Sequence, residues 1–172
     1  GAALARQSGF RTALRSELAI DEEVKADVVV LDSIGELAQV YQAATVVFVG
    51  GSLVPTGGHN ILEPAVYGKP IVFGPHMQNF AEIAETFLSG QAAVQVETAR
   101  ELEDALIGLL SEPDARGRLG ERARDLARQD RLSGAGLALN QQRAFQHDGG
   151  VDRGLEVIRR DVARCSFKAH GG

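Results

Sequence analysis

Residues 49–64, VGGSLVPTGGHNILEP, combine residue types suited to binding a nucleotide or a phosphorylated sugar. The glycine pairs at 50–51 and 57–58 permit positive φ angles and leave open space where a ligand can approach the backbone. Their N–H groups could then bind an anion. The polar pair His59-Asn60 follows, and then the carboxylate of Glu63. Because the stretch continues from a strongly apolar segment, we expect it at the carboxyl end of a strand, where ligands bind in open α/β sheets.

Glu63 is the strongest single candidate for a ligand contact. A carboxylate one turn into a helix can accept hydrogen bonds from two neighbouring hydroxyl groups, as on a ribose. The local alternative is a capping box of Asn60 and Glu63. That alternative puts Pro64 at the fourth helical position, where its missing N–H removes the first intrahelical bond. A cap at His59 or a helix start near Leu62 gives no obviously better fit, so the ligand role is favoured.

Two further loops carry candidate contacts. The first contains Ser33, Ile34, Gly35 and Glu36, whose backbone groups can bind the polar edge of a ring. Taken alone, a capping box of Ser33 and Glu36 is the simpler interpretation. The other loop contains His76 just beyond a strand end, where an imidazole can meet an anionic group. A lone histidine is more often structural or solvated.

The sequence lacks the patterns of several well-defined sites. Neither glycine pair is followed by the Gly-Lys-Ser/Thr of a P-loop, and neither fits the dinucleotide pattern G-x-G-x-x-G. The histidines and the single cysteine show no metal-ligand spacing, so we predict neither a metal nor another cofactor. No Ser-His-Asp set or carboxylate pair is recognisable, so no catalytic residue is assigned to this chain. The residues alone indicate nucleotide or phosphosugar binding without identifying a reaction.

Strands and helices alternate along the part of the chain that holds these loops. We predict strands at 28–32, 45–51, 69–75 and 92–96. We predict helices at the amphipathic N-terminus, 35–44, about 60–67, 79–90, 98–110, 112–129 and 135–147. This alternation is typical of an α/β fold with a doubly wound parallel sheet. It predicts that the first loop (32–36), the second loop (50–60) and the third loop (74–79) share one sheet edge.

Cap signals refine two of these helices, and composition describes a third. Thr98 and Glu101 predict a capping box at the start of the helix over 98–110. Asn79 with Glu82 predicts a similar cap for the helix over 79–90, and Gly90 is the expected C′ residue. The helix over 112–129 is rich in arginine mixed with acidic residues, which favours a solvated face over a binding patch.

The amino-acid composition limits the functions that this chain can have. With 172 residues and 44% hydrophobic residues, the chain is long enough for one globular domain with a core. Its net charge of −5 and its lack of tryptophan argue against broad nucleic-acid binding. Cys165 is the one cysteine and is interpreted as inert. No apolar run reaches the roughly 18 residues of a membrane span.

A family resemblance rests on the same loops. SIGEL (33–37), FVGGSLVPTGGHNILEPAVYGKPIVFGPH (48–76) and MQNF (77–80) resemble the C-terminal domain of 3-deoxy-D-manno-octulosonic acid (Kdo) transferases. These are GT-B-type glycosyltransferases of lipopolysaccharide synthesis, and the motif combination is highly specific. The resemblance covers 1–147 as a donor-binding domain and leaves 148–172 unassigned. It implies the Rossmann-like C-terminal half of a GT-B enzyme, with its first strand and a basic phosphate-binding segment expected before Gly1.

The resemblance also implies a donor and an acceptor. The family transfers Kdo from CMP-Kdo to a lipid A precursor at the cytoplasmic face of the bacterial inner membrane. The matching positions fall into four groups: Ser33, Ile34, Gly35 and Glu36 beside the cytosine; Gly57, Gly58, His59 and Asn60 at the phosphate; Glu63 on the ribose; and His76 near the donor sugar. The general base, the acceptor site and the membrane-binding surface belong to a missing N-terminal domain, so we expect the chain alone to be inactive.

Two alternatives remain open at this stage. One is another GT-B sugar-nucleotide enzyme, such as a UDP-sugar transferase or an epimerase, which would prefer a uridine diphosphate. The other is a non-catalytic nucleotide-binding domain whose loops only cap helices. In that case, Glu63→Ala in the full-length protein would leave nucleotide affinity unchanged.

Overall fold

The computed structural model describes residues 1–19, 24–133 and 155–158. The chain divides into two compact units, of which the first includes Gly1–Ala43 and the second is Ala44–Ile158. The predicted helix at 135–147, the predicted domain boundary at 147 and Cys165 all lie outside the described residues, so these remain predictions.

The first unit contains a small parallel sheet and two short helices. Helix α1 is Ala2–Gln7, strand β1 is Thr12–Leu14, strand β2 is Val28–Val30 and helix α2 is Leu37–Ala43. Strands β1 and β2 pair in parallel, with Thr12 opposite Val28 and Leu14 opposite Val30. The N-terminal helix, β2 and α2 match predicted elements. Strand β1 was not predicted, because three residues are too few to show a period-two pattern.

A carboxylate holds each end of this two-stranded sheet. Before the strands, Asp27 accepts hydrogen bonds from the backbone N–H and the guanidinium of Arg11, the shortest at 2.6 Å. After them, Asp32 accepts from the Ser16 hydroxyl at 2.6 Å and its N–H at 2.9 Å. The Arg11 side chain lowers the pKa of Asp27 to about 2. The Ser16 hydroxyl likewise lowers the pKa of Asp32.

The second unit is built on a four-stranded sheet of order β5-β4-β3-β6. Its strands are β3 at Val46–Val49, β4 at Ile71–Phe73, β5 at Val94–Gln95 and β6 at Leu155–Ile158. The first three pair in parallel, as predicted from their apolar runs. Strand β6 pairs antiparallel with β3, with Val46 opposite Ile158. It lies in the stretch that the sequence left unassigned.

The expectation of one sheet containing all four predicted strands was wrong in one respect. Strand β2 pairs with β1, whereas the neighbours of β3 are β4 and β6. A β-branched run such as VVV identifies a strand but carries no information about which strand it pairs with. The pairing depends on residues far away in the sequence.

Helices cover both faces of the second sheet. They are α3 at Leu62–Val66, α4 at Ala81–Ser89, α5 at Ala99–Ser111 and α6 at Pro113–Ser133. Because side chains alternate along a strand, Ile71 and Phe73 pack on the face covered by α3, α4 and part of α6. Val72 points to the other face and packs with α5. This arrangement confirms the doubly wound α/β fold.

The cap signals were only partly correct. Thr98 caps α5 by accepting the Glu101 N–H at 3.2 Å, as predicted. The Glu101 carboxylate accepts the Glu97 N–H at 2.8 Å instead of the Thr98 N–H of a reciprocal capping box. The predicted Asn79–Glu82 cap was wrong, because residues 78–80 form a 3₁₀ turn and α4 begins at Ala81 without a side-chain cap. The Asn79 side chain lies instead against Gly57.

The end of α4 is shifted by one residue from the prediction. Gly90 has an ordinary φ of −80°, and Gln91 occupies the left-handed C′ position with φ of +50°. The N–H groups of Gln91 and Ala92 bond the carbonyls of Leu88 and Phe87, which is the Schellman pattern. Gly90 therefore lies one residue before the position that requires a positive φ, which glycine adopts without strain.

Arginines of α6 have structural partners in addition to their solvated face. Arg116 donates to the last carbonyls of α5, Leu109 at 3.0 Å and Leu110 at 3.3 Å. Arg122 donates to the Gln91 carbonyl at 3.1 Å. A cation near the carbonyl end of a helix is favourable because it complements the unpaired acceptors there. These contacts tie α6 to both preceding helices.

Candidate functional site

Ser52 joins the second loop to the third loop. It is the buried polar residue among the described residues, with none of its surface exposed. Its hydroxyl donates to the Val49 carbonyl at the end of β3 and accepts the Gly74 N–H, just after β4, at 2.7 Å. Its carbonyl accepts the His76 N–H at 2.9 Å. One residue thereby fixes the ends of two neighbouring strands and the start of the third loop.

Gly74 permits this close approach. A Cβ atom at this position would lie 2.3 Å from the Ser52 carbonyl oxygen, which is shorter than any real contact. The constraint is steric, because Gly74 does not have a positive φ angle. A glycine at 74 is therefore required by the neighbouring backbone.

The third loop packs against the second glycine pair. Gly57 and Gly58 are buried and have φ angles of +97° and +69°. A Cβ at Gly57 would lie 2.3 Å from Asn79 Nδ2, and one at Gly58 would lie 2.3 Å from Met77 Sδ. The Asn79 N–H also donates to the Gly57 carbonyl at 3.2 Å.

This packing corrects one expectation about the glycines. Positive φ is confirmed at both positions, but the space beside their Cα atoms is filled by the third loop instead of being open to a ligand. Any contact of Gly57 and Gly58 with a ligand must therefore use their backbone groups, and that role remains a prediction.

The first glycine pair and His59 form the other side of the second loop. Gly51 has φ of +68°, and its carbonyl accepts the Thr56 hydroxyl at 2.7 Å, which closes the turn between the two glycine pairs. His59 is half-buried. Its Nε2 atom lies 3.9 Å from the place where a Cβ of Gly51 would be, so the imidazole is directed toward the first glycine pair.

Asn60 and Glu63 contact each other at the start of α3. Asn60 Oδ1 accepts the Leu62 N–H at 2.9 Å, and Asn60 Nδ2 lies 3.4 Å from Glu63 Oε1. This geometry differs from a reciprocal capping box, because the Glu63 carboxylate meets a side chain instead of a backbone N–H. Asn60 therefore stabilises the turn before α3, which is the local role considered above as the alternative to ligand binding.

The proline objection is resolved by where α3 begins. Its N-cap is Ile61, so Pro64 is the third helical residue and lies within the first turn. N–H groups in that turn have no partner in the helix, so the proline removes no bond. The expectation that a start near Leu62 fits no better was wrong. With five residues, α3 also contributes less of a helix dipole than a full-length helix would.

Glu63 retains capacity for a ligand. The carboxylate is half-buried, and its contact with Asn60 at 3.4 Å is long for a hydrogen bond. A carboxylate has about four acceptor positions. The geometry is therefore compatible with both interpretations of Glu63. The carboxylate can contact Asn60 locally and can also accept hydrogen bonds from ligand hydroxyl groups.

His76 lies next to the second loop, as expected for two loops at one sheet edge. Its carbonyl oxygen would be 3.2 Å from a Cβ at Gly58. Its Nδ1 atom is 3.3 Å from Gln78 Nε2, and the side chain is half-buried. The structure thus brings together the backbones of His76 and the second glycine pair.

The first loop follows β2 in the first unit, so the prediction that it shares a sheet edge with the other two loops was wrong. Its Ser33 hydroxyl donates to the Glu36 carboxylate, which also forms an ion pair with Arg15 at 2.8 Å. The predicted capping box was wrong: α2 begins at Leu37, and the Glu36 carbonyl accepts N–H groups of the first turn, so Glu36 occupies the N-cap position. Ile34 is 95% exposed, and Gly35 turns the chain with φ of +93°.

Sequence reasoning missed three residues that shape these loops, namely Ser52, Asn79 and Arg15. Ser52 stood within the glycine-rich motif, but nothing in the motif indicated a buried hydroxyl. Asn79 was assigned to a helix cap. Arg15 lies 21 positions before its partner Glu36, and no local pattern connects residues so far apart.

The second and third loops together form a candidate ligand-binding edge. The loops supply backbone N–H groups and two half-buried imidazoles, and the first turn of α3 adds the half-buried carboxylate of Glu63. In the described part of the chain, no cluster of His, Cys, Asp and Glu is arranged to hold a metal ion. Among those same residues, no helix is long and apolar enough to cross a membrane. This chemistry suits recognition of an anion with neighbouring hydroxyl groups.

Comparison with known proteins finds glycosyltransferases. The chain is 37% identical over 129 residues to a 3-deoxy-D-manno-octulosonic acid transferase of Haemophilus influenzae, covering 74% of this chain and 30% of the relative. It is 36% identical over 123 residues to the transferase of the same name from Bordetella pertussis, covering 72% and 29%. The chain therefore spans about three tenths of the length of these relatives.

A solved structure is also similar. The crystal structure of the C-terminal CMP-Kdo binding domain of WaaA from Acinetobacter baumannii superimposes with a TM-score of 0.66 at 36% identity. The match covers 72% of this chain and 64% of the other. The family model for Glycosyl transferases group 1 matches residues 11–126, which include all three loops. By its fold and by this match, the chain belongs to the family of glycosyl transferases group 1.

Proposed function

We propose that this chain is the donor-binding domain of a glycosyltransferase that moves Kdo from CMP-Kdo to a lipid A precursor. The observation that carries the proposal is the 36% identity and TM-score of 0.66 with a domain named for CMP-Kdo binding. The second and third loops supply groups that suit such a donor, and their mutual packing makes them a defined surface.

Each part of the donor has a proposed partner. N–H groups of residues 57–60 bind the phosphate, and the Glu63 carboxylate accepts hydrogen bonds from the ribose hydroxyl groups. His76 lies toward the sugar. For the cytosine, Ser33, Ile34, Gly35 and Glu36 are proposed from the family resemblance alone; within the first unit, Ile34 is exposed and Glu36 forms an ion pair with Arg15.

In this reaction, the chain binds and stabilises the leaving group, CMP. Transfer breaks the bond between the anomeric carbon of Kdo and the phosphate oxygen, and CMP departs with the bonding electron pair. The acceptor hydroxyl forms the new bond and gives its proton to a base outside this chain. Oriented N–H groups stabilise the departing phosphate because they are already in place when its charge develops.

The acceptor and the cellular location are proposed from the family alone. The lipid A precursor, the general base and the contact with the cytoplasmic face of the inner membrane belong, in this proposal, to the rest of a longer protein. On this basis, the 172-residue chain binds the donor but does not transfer Kdo.

A nucleotide titration tests the proposal. We expect the purified chain to bind CMP with a measurable heat in isothermal titration calorimetry, and to bind UMP and UDP more weakly. Preference for UDP over CMP would instead indicate a UDP-sugar enzyme of the same family. Absence of saturable binding to all three nucleotides would contradict a donor-binding role.

A further inference from the structure

We propose that Ser52 is a positioning residue that sets the phosphate-side loop of the donor site, an inference that rests on the proposed function. The Ser52 side chain is completely buried, so we do not expect it to contact the donor directly. Its effect on binding would be indirect, through the backbone of the two loops that it connects.

The Ser52 hydroxyl uses both its donor and its acceptor capacity inside the protein. It donates to the Val49 carbonyl and accepts the Gly74 N–H at 2.7 Å. A buried N–H without a partner is costly, so removing the hydroxyl leaves Gly74 unsatisfied and favours movement of the third loop. The 2.3 Å that would separate a Gly74 Cβ from the Ser52 carbonyl shows how closely the two backbones approach.

The effect passes from the third loop to the second glycine pair. The Ser52 carbonyl holds the His76 N–H at 2.9 Å, and the residues after His76 pack directly on the glycines. Met77 lies against Gly58, and Asn79 lies against Gly57. A displacement that begins at Gly74 therefore reaches the N–H groups proposed to bind the phosphate.

Two ligands separate positioning from general stability. CMP carries the phosphate, whereas cytidine has the same base and ribose without it. Misplaced N–H groups in the second loop should weaken CMP binding and leave cytidine binding unchanged. A variant that only lowers the stability of the fold should not change the ratio of the two dissociation constants at a temperature where the protein is fully folded.

The experiment measures dissociation constants for CMP and cytidine in the wild-type chain, Ser52→Ala and Ser52→Cys. For Ser52→Ala we expect about a tenfold weaker affinity for CMP, the scale of one lost charge-assisted hydrogen bond, and the same affinity for cytidine. Ser52→Cys retains a weak donor and acceptor on a larger atom, so it should also weaken CMP binding and leave cytidine binding unchanged. If Ser52→Ala does not fold, Ser52→Cys carries the test.

Leu119→Ala is the control, because Leu119 lies on α6 and is buried on the α5 side of the core. It should lower the melting temperature and keep the wild-type ratio of affinities. If the Ser52 variants also keep that ratio, Ser52 is structural and the inference is wrong. If the wild-type chain does not bind CMP at all, the proposed function itself fails, which is a different result.

Discussion

At the scale of single residues, Glu63 carries the most specific chemistry. We predict that Glu63→Gln weakens CMP binding about tenfold, because an amide is a poorer acceptor for two ribose hydroxyl groups than a carboxylate. With 2′,3′-dideoxy-CMP, which lacks those hydroxyl groups, the variant and the wild-type chain should bind equally. Titration calorimetry with both nucleotides measures the difference.

Glu82→Gln is the control for Glu63→Gln. It removes the same charge from the first turn of α4 at an exposed position. It should leave the affinity for CMP unchanged. An equal loss with both nucleotides in Glu63→Gln would show that the carboxylate acts through the local contact with Asn60 at 3.4 Å instead of through the ribose.

Gln91 adopts a backbone conformation that is usually occupied by glycine. It has φ of +50° at the C′ position of α4, where glycine is free of strain. We predict that Gln91→Gly raises the free energy of unfolding by about 0.5–1 kcal/mol, measured by urea denaturation, because relief of roughly 1–2 kcal/mol of left-handed strain is partly offset by the entropic cost of glycine, roughly 0.5–1 kcal/mol. A decrease would mean that the contact of the Gln91 side chain with Arg122, at 3.4 Å, outweighs the backbone strain.

Among the elements, α6 offers a matched pair of glycines. A Cβ at Gly120 would lie 2.1 Å from the Gly68 carbonyl oxygen, whereas nothing lies within 4 Å of one at Gly117. We predict that Gly120→Ala destabilises the protein by about 1–3 kcal/mol through overpacking. Gly117→Ala should stabilise it by up to about 1 kcal/mol through helix propensity.

Thermal or urea denaturation of both α6 variants tests the packing of α6 against the turn after α3. Equal effects of the two substitutions would contradict it. The comparison is sharp because both changes add one methyl group to the same helix, and only the surroundings differ.

The sheet of β1 and β2 should respond to acid. The pKa of Asp27 is lowered to about 2 by Arg11, below its value of about 3.9 in an unfolded chain. A depressed carboxylate pKa stabilises the fold above the unfolded pKa, and this contribution is lost as the pH falls from about 4 to about 2. Asp27→Asn should therefore show a smaller loss of stability over that interval than the wild-type chain.

Urea denaturation at pH 5 and pH 3 measures this difference, with Asp114→Asn as a control of equal charge outside the sheet. Identical pH dependence in the wild-type chain and in Asp27→Asn would contradict the contribution of the Arg11–Asp27 pair. Because the pair is solvent-exposed, added salt should also reduce the difference.

The elements also show which features local patterns reveal. Apolar runs correctly predicted β3 and β4, and Thr98 with Glu101 correctly predicted the cap of α5. Strands β1 and β6 went unpredicted: β1 is too short for a clear period. The C′ residue of α4 was misplaced because the helix ended one residue later than the glycine signal suggested.

At the scale of the whole molecule, the sequence could nominate the residues of the candidate site, whose ligand contacts stay a prediction, but not the contacts among them. Glycines, Glu63 and His76 were singled out because their types and positions after strands imply ligand binding. The contacts of Ser52 with Gly74 and of Asn79 with Gly57 span 22 residues each. Such pairs arise only when parallel strands bring distant loops to one edge.

The proposed transfer reaction involves a longer protein than this chain. The chain spans about 30% of its curated relatives, and in our proposal the acceptor site and the base lie in the remainder. We therefore predict that the chain does not release CMP from CMP-Kdo in the presence of a lipid A precursor. Accumulation of transferred Kdo in that assay would show that a base exists within the chain.

The central claim is that CMP binds at the edge formed by the second and third loops. Nuclear magnetic resonance of the ¹⁵N-labelled chain during a CMP titration tests it most directly, because each backbone N–H is observed separately. We predict saturable shifts that are largest at Gly57, Gly58, His59 and Asn60. Saturable binding that leaves these four signals unchanged and shifts those of another surface would contradict the account.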